Sequence, residues 1–252
     1  MRSYPYAILV YGPAGSGKTT LTAKFEEWLK ENTHYRVASV NLDAGSVNLP
    51  YRPVFNVRDF IRIEKLMKER NLGPNGALML SVEEETKLIP TIIERVNGLD
   101  YVLIDTPGIM EVFTGREAGR KIVEQLSRKL TVVGVFVMDA SAIRTASELI
   151  YFKTLCVLGS LKLGLITIPI WNKIDIATPE FKGLIALEKD KLADKLLEEG
   201  GLYTEAATGM AEITSKLEQA VRIIKIDSLS GRGLDELYEA IHETFCVCGD
   251  LT

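Results

Sequence analysis

Eight residues near the N-terminus, Gly12-Pro13-Ala14-Gly15-Ser16-Gly17-Lys18-Thr19, follow the spacing G-x-x-x-x-G-K-[ST]. Glycines let a main chain wrap closely around phosphate oxygens, so that backbone N–H groups and the positive end of the following helix face the anion. In that arrangement Lys18 reaches the β- and γ-phosphates and the Thr19 hydroxyl binds Mg²⁺. A ligand-free glycine turn between strand and helix is the plain alternative. The pattern and its context, after an apolar run and before a helix, favour a nucleoside triphosphate.

A second group of residues bears on the base. Asn172-Lys173-Ile174-Asp175 follows an apolar run and fits N-K-x-D. The Asp175 carboxylate can accept from guanine N1–H and N2–H₂, whereas adenine would leave it unpaired. Each such bond to a charged group is worth roughly 1.5–3 kcal/mol, enough to discriminate between bases. Lys173 lies along the base plane in this reading, and Asn172 ties the segment to the phosphate loop. The stretch Asp227-Ser228-Leu229-Ser230-Gly231 offers a loose match to a segment that places a backbone N–H on guanine O6. Ser228 and Leu229 are the favoured contacts, with a one-residue slip or a simple polar turn as alternatives.

The hydrolytic side rests on Asp105-Thr106-Pro107-Gly108, where the carboxylate can hold Mg²⁺ through water and the Gly108 N–H can sense the γ-phosphate. Asp43 can touch Mg²⁺, orient the attacking water, or merely close a turn. Glu111 can hold that water or be a solvated surface group. Gly73-Pro74-Asn75-Gly76, taken on residue types alone, reads as a β-turn.

These groups need elements to position them. Apolar runs predict strands at Tyr6–Tyr11, Tyr35–Asn41, Tyr101–Asp105, Thr131–Asp139, Leu165–Trp171 and Arg222–Asp227. Helical spacing predicts helices at Lys18–Glu31, Val57–Arg70, Val82–Val96 and Leu234–Phe245. Strand and helix alternate, which predicts an α/β fold with a parallel sheet flanked by helices. One domain covers residues 1–252, with helical insertions at about 50–98 and 178–220. The apolar fraction of 46% suits a sizeable core, and the charge of −4 gives no reason to expect general binding to nucleic acid or an anionic membrane. Three cysteines, Cys156, Cys246 and Cys248, make no disulfide framework. No signal peptide is evident, and no apolar run approaches the ~20 residues of a membrane span, so a cytoplasmic protein is expected.

Together the segments resemble the GPN-loop GTPases over essentially the whole chain. The resemblance rests on GPAGSGKTT at Gly12–Thr20, NLDAG at Asn41–Gly45, GPNGAL at Gly73–Leu78, DTPGIMEVF at Asp105–Phe113 and NKID at Asn172–Asp175, in that order. It implies a P-loop fold whose insertion carries the GPN loop, GTP hydrolysed to GDP and phosphate, Mg²⁺, and a homodimer. It also implies that Gly73, Pro74 and Asn75 of one subunit reach the nucleotide of the other, with Asn75 donating to phosphate oxygens. Thr20 joins the nucleotide-binding residues. For family members in eukaryotes the implied role is assembly and nuclear import of RNA polymerase II; this chain's client is unread. Two departures stand out. The family often has Gln after DTPG, where this chain has Ile109. It commonly has Pro after the Asp of NLDPA, where this chain has Ala44. Isoleucine cannot orient water, so Asp43 and Glu111 carry more of that task. A nickel chaperone-type GTPase, drawing on His34, His242 or Cys246-x-Cys248, is one alternative, and a small-molecule kinase is another.

Overall fold

The computed structural model describes residues 5–200, 204–220 and 222–249. The side chains of Cys246 and Cys248 lie outside the described residues. Among the described residues, seven strands form one sheet: β1 (Tyr6–Tyr11), β2 (Val37–Asn41), β3 (Phe55–Asn56), β4 (Tyr101–Asp105), β5 (Thr131–Asp139), β6 (Thr167–Asn172) and β7 (Ile224–Lys225). Their order is β3-β2-β4-β1-β5-β6-β7, and every pairing is parallel. The helices are α1 (Lys18–Asn32), α2 (Ile63–Arg70), α3 (Pro74–Glu85), α4 (Ile89–Arg95), α5 (Met110–Thr114) and α6 (Glu117–Ser127). They continue with α7 (Ala146–Leu163), α8 (Pro179–Leu184), α9 (Lys189–Glu199), α10 (Thr204–Ala220) and α11 (Leu234–Gly249).

Because the strands are buried on both faces, they read as continuous apolar runs rather than alternating ones. Ile8 and Val10 of β1 pack with Leu21, Phe25 and Leu29 of α1 and with Leu237 and Ile241 of α11. Ala7, Leu9 and Tyr11 point the other way, into a larger core with Val82, Ile92, Phe113, Ile122 and Leu149. That second core also takes in Phe181, Leu192 and Leu196 from the segment after β6, so both helical insertions share it.

Register sets the site. Val10 and Asn41 both pair with Asp105, and Asp139 pairs with Asn172. The C-terminal ends of β2, β4 and β1 therefore finish within a residue of one another, and β5 and β6 run three residues further, past the level of Tyr11. In such sheets ligands gather at that edge, where neighbouring strands lead the chain to opposite sides.

The predicted elements shift at their ends. β2 begins at Val37 rather than Tyr35, β6 starts two residues later and ends one later, and β7 shortens to two residues. The helix predicted over Val57–Arg70 divides into a 3₁₀ turn at Val57–Asp59 and α2. The helix predicted from Val82 to Val96 starts eight residues earlier, at Pro74, and is interrupted at Thr86–Leu88. The turn predicted at Gly73–Gly76 is thus the first turn of α3, with Gly73 as cap and Pro74 at N1. Proline suits that position because its missing N–H has no intrahelical partner to lose.

Candidate functional site

The phosphate loop joins β1 to α1 at the C-terminal edge of the sheet. Gly12 sits at φ 145° against β5; a Cβ there would lie 2.4 Å from the Val137 carbonyl oxygen. Gly17 sits at φ 95°, and its Cβ would lie 2.4 Å from Asn172 Nδ2. Only glycine fits such approaches. Lys18 folds back over the loop and donates to the carbonyls of Gly12 (2.9 Å), Pro13 (2.8 Å) and Gly108 (3.1 Å). Burial lowers its pKa, while Asp105, Asp43 and Glu111 pull it the other way. All three predicted acids therefore lie within electrostatic reach of one ammonium.

Asp105 is fully buried at the end of β4. Its Oδ2 accepts from the Tyr51 hydroxyl at 3.0 Å, and its Oδ1 has no hydrogen-bond partner. The Thr19 hydroxyl sits beside the carboxylate, and burial pushes the pKa up to about 6 against the pull of Thr19 and Tyr51. An orphaned carboxylate oxygen next to a threonine hydroxyl at the mouth of a phosphate loop fits Mg²⁺, a hard cation with oxygen ligands. Asp43 caps its own turn, accepting from the Gly45 N–H at 2.9 Å, and also draws the Gly108 N–H. Burial raises its pKa. Glu111 is exposed on α5, and Ile109 is exposed just before it.

The base side is knitted to the loop. Asn172, only 1% exposed, donates from Nδ2 to the Ser16 carbonyl (2.8 Å). Its Oδ1 accepts from both the N–H (3.1 Å) and the hydroxyl (2.8 Å) of Ser228. Lys173 adopts φ 60° and lays its ammonium between the Gly15 carbonyl and the Asp139 carboxylate, each at 2.6 Å. Asp175 is exposed on the same turn. Ser228 is buried and fully engaged with Asn172, so its first role is structural. Leu229 is 72% exposed, and its N–H donates to Asp227 Oδ1 at 3.0 Å.

Gly73, Pro74 and Asn75 are exposed at the start of α3. The helix has no side-chain cap there and no acidic residue in its first turn. Its far side rests on the Asp43 loop, since a Cβ on Gly45 would lie 3.3 Å from Leu78 Cδ2.

Sequence reasoning missed four contributors. Tyr51 and Asp139 are single residues whose partners lie 54 and 34 positions away, so no local spacing announces them. Asn41 holds the Asp43 turn from both ends: its Oδ1 takes the Asp43 N–H (3.0 Å) and its Nδ2 reaches the Asp43 carbonyl (3.2 Å). Its place two residues before Asp43 was the available signal. Glu85, on the last turn of α3, is fully buried with neither carboxylate oxygen paired.

A family model described as "Conserved hypothetical ATP binding protein" matches residues 10–247. The GPN-loop GTPase PAB0955 of Pyrococcus abyssi is 34% identical, covering 97% of this chain and 99% of that protein. GPN-loop GTPase 1 of Dictyostelium discoideum is 30% identical over 94% of this chain, which spans 61% of that longer relative. The crystal structure of the Pyrococcus abyssi protein, a GTPase in apo form, superposes with a TM-score of 0.84 at 32% identity, covering 96% of this chain and 98% of that one. The family description speaks of ATP, whereas the curated relatives carry the name GTPase, in agreement with Asn172-Lys173-Ile174-Asp175. The chain belongs to the GPN-loop GTPases, and it is a GTP-binding GTPase with the P-loop fold.

Proposed function

We propose that this GTPase is Mg²⁺-dependent and works as a homodimeric switch in a single P-loop domain, with Asn75 of each subunit completing the phosphate site of the other. The observation that carries the reading is the start of α3. There Asn75 is exposed on an uncapped helix N-terminus, a natural donor surface for phosphate oxygens. Thr19 and Asp105 would hold the cation, with Asp43 close by. When bound, Mg²⁺ neutralises charge developing on the β- and γ-phosphate oxygens.

The chain's own groups do the rest. Gly12, Pro13, Ala14, Gly15, Ser16 and Gly17 wrap the phosphates, and Thr20 lies in the same helix turn as Thr19. Lys18 exchanges its three carbonyl partners for phosphate oxygens. The Gly108 N–H, now shared with Asp43, senses the γ-phosphate. Asp43 and Glu111, both within electrostatic reach of Lys18, orient the attacking water in this reading, since Ile109 stands where a glutamine could have done so. Asp175 reads guanine. A Leu229 N–H directed to O6 would first have to leave Asp227. Preplaced donors stabilise charge in the transition state without reorganising, so neutral Asn75 contributes less than an arginine would. The output is assembly of a protein client, with an RNA polymerase among the candidates. A cytoplasmic setting is part of the same reading; no described helix is long and apolar enough to cross a membrane.

The test is turnover of GTP and ATP by the wild type, Asn75→Ala, and mixtures of Lys18→Ala with Asn75→Ala chains. GTP preference, slow hydrolysis in Asn75→Ala and non-additive mixtures are expected. Equal use of ATP removes the guanine role of Asp175. An unchanged Asn75→Ala rate removes the GPN loop from catalysis, and a strictly monomeric protein with a transition-state analogue removes the shared site.

A further inference from the structure

The segment between β2 and β3 contributes one side chain to the buried edge of the sheet. Tyr51 stands between two prolines, Pro50 and Pro53, which fix φ and stiffen the loop around it. Pro50, Tyr51 and Arg52 line a surface cavity together with Thr20 and Lys24 of α1 and with Leu229. The loop therefore lies over the start of α1. From there the Tyr51 hydroxyl reaches inward to Asp105 Oδ2 at 3.0 Å. Asp105 has two oxygens in a fully buried position, and this hydroxyl takes one of them. The other, Oδ1, is left without a hydrogen-bond partner.

A carboxylate that can turn about its Cβ–Cγ bond presents a cation with either oxygen in many orientations. One whose Oδ2 is held by a fixed donor presents Oδ1 in a single direction. We propose that Tyr51 is a positioning residue for the cation: its phenol anchors Asp105 Oδ2, which leaves the unpartnered Oδ1 as the ligating atom. This rests on the reading that Thr19 and Asp105 hold Mg²⁺. In this role Tyr51 acts through Asp105 rather than as a ligand itself. Fixing a ligand through an outer partner in this way commonly changes metal affinity by ~10–100-fold.

The experiment titrates Mn²⁺, as a spectroscopic probe, into the GDP-bound protein and follows the free-ion electron paramagnetic resonance signal. The proteins are wild type, Tyr51→Phe, Asp105→Asn and the double variant. Phenylalanine keeps the ring and removes only the hydroxyl. Affinity for a fluorescent GDP in EDTA, measured alongside, reports the phosphate loop without metal. Tyr51→Phe should bind Mn²⁺ ~10-fold more weakly, as expected for a lost hydrogen bond to a charged group. It should leave metal-free GDP affinity unchanged, and it should add nothing to Asp105→Asn. Mn²⁺ affinity within twofold of wild type in Tyr51→Phe, while Asp105→Asn is weakened, overturns the role of Tyr51 and leaves the metal reading standing. Unweakened Mn²⁺ binding in Asp105→Asn overturns the metal reading itself, and this inference with it. A Tyr51→Phe protein that loses metal-free GDP affinity in the same proportion holds the loop by packing, which also overturns the proposal.

Discussion

Asn172 joins three segments through one buried amide, so its removal has a calculable cost. Truncation to alanine deletes the bond to the Ser16 carbonyl and both bonds from Ser228, at 2.8, 3.1 and 2.8 Å. Each buried hydrogen bond contributes about 1 kcal/mol net, and leaving a buried N–H or carbonyl unpaired costs more than leaving an exposed one. Asn172→Ala should therefore destabilise the fold by about 3 kcal/mol, a large share of the roughly 5–15 kcal/mol typical of a whole domain. Urea unfolding of the nucleotide-free protein measures it. Ser228→Ala, which removes only the hydroxyl bond, should cost about 1 kcal/mol in the wild type and close to nothing in the Asn172→Ala background. Affinity for guanine nucleotide should fall as well, because Ser16 and Gly17 lose the side chain they rest on. An Asn172→Ala cost below about 1 kcal/mol, or a Ser228→Ala effect equal in both backgrounds, would refute the claim that this amide couples the base segment to the phosphate loop.

Gly17→Ala should abolish tight nucleotide binding in equilibrium titrations, since the new methyl meets Asn172 Nδ2 at 2.4 Å on a residue with φ 95°. Normal binding would show that the loop opens freely. Asp139→Asn should weaken GTP binding severalfold while the preference for GTP over ATP survives, because Asp139 steadies Lys173 whereas the guanine reading rests on Asp175; a lost preference in competition binding would count against this division. Glu85→Gln should raise the melting temperature at pH 8 and leave it unchanged near pH 4. Burial raises the Glu85 pKa, with the Asp43 charge as a second cause. The folded chain thus holds that proton more tightly than the unfolded chain, whose glutamates titrate near ~4.3. Wild-type stability is full below that value and falls as pH rises through the folded pKa, while glutamine has no such loss. Thermal melts at both pH values that differ by the same amount would show that Glu85 is not the source.

What was legible in the sequence follows from locality. The phosphate loop needs consecutive residues, because its amides must line one anion, so Gly12–Thr19 could be recognised as a unit. The central strands were legible because both of their faces are buried, which forces apolar runs at Tyr6–Tyr11, Tyr101–Asp105 and Thr131–Asp139. Element ends were not, because Tyr35 and Leu165 are apolar for packing reasons outside any strand. Residue types alone do not separate a turn from a helix start at Gly73–Gly76, because glycine, proline and asparagine favour both, and the core beneath Ala77 and Val82 selects the helix.

The sequence by itself determined the fold class, the phosphate loop and the family, since each depends on short spacings or on their order along the chain. Tertiary structure alone decided how those pieces act as one site. Strand register brought Asn41, Asp105, Asp139 and Asn172 to one edge. The loop after β2 put a phenol on Asp105, and α3 buried an unpaired carboxylate while leaving Asn75 in the open. Those outcomes depend on distances between residues far apart in the chain, and such distances are fixed only when the core packs.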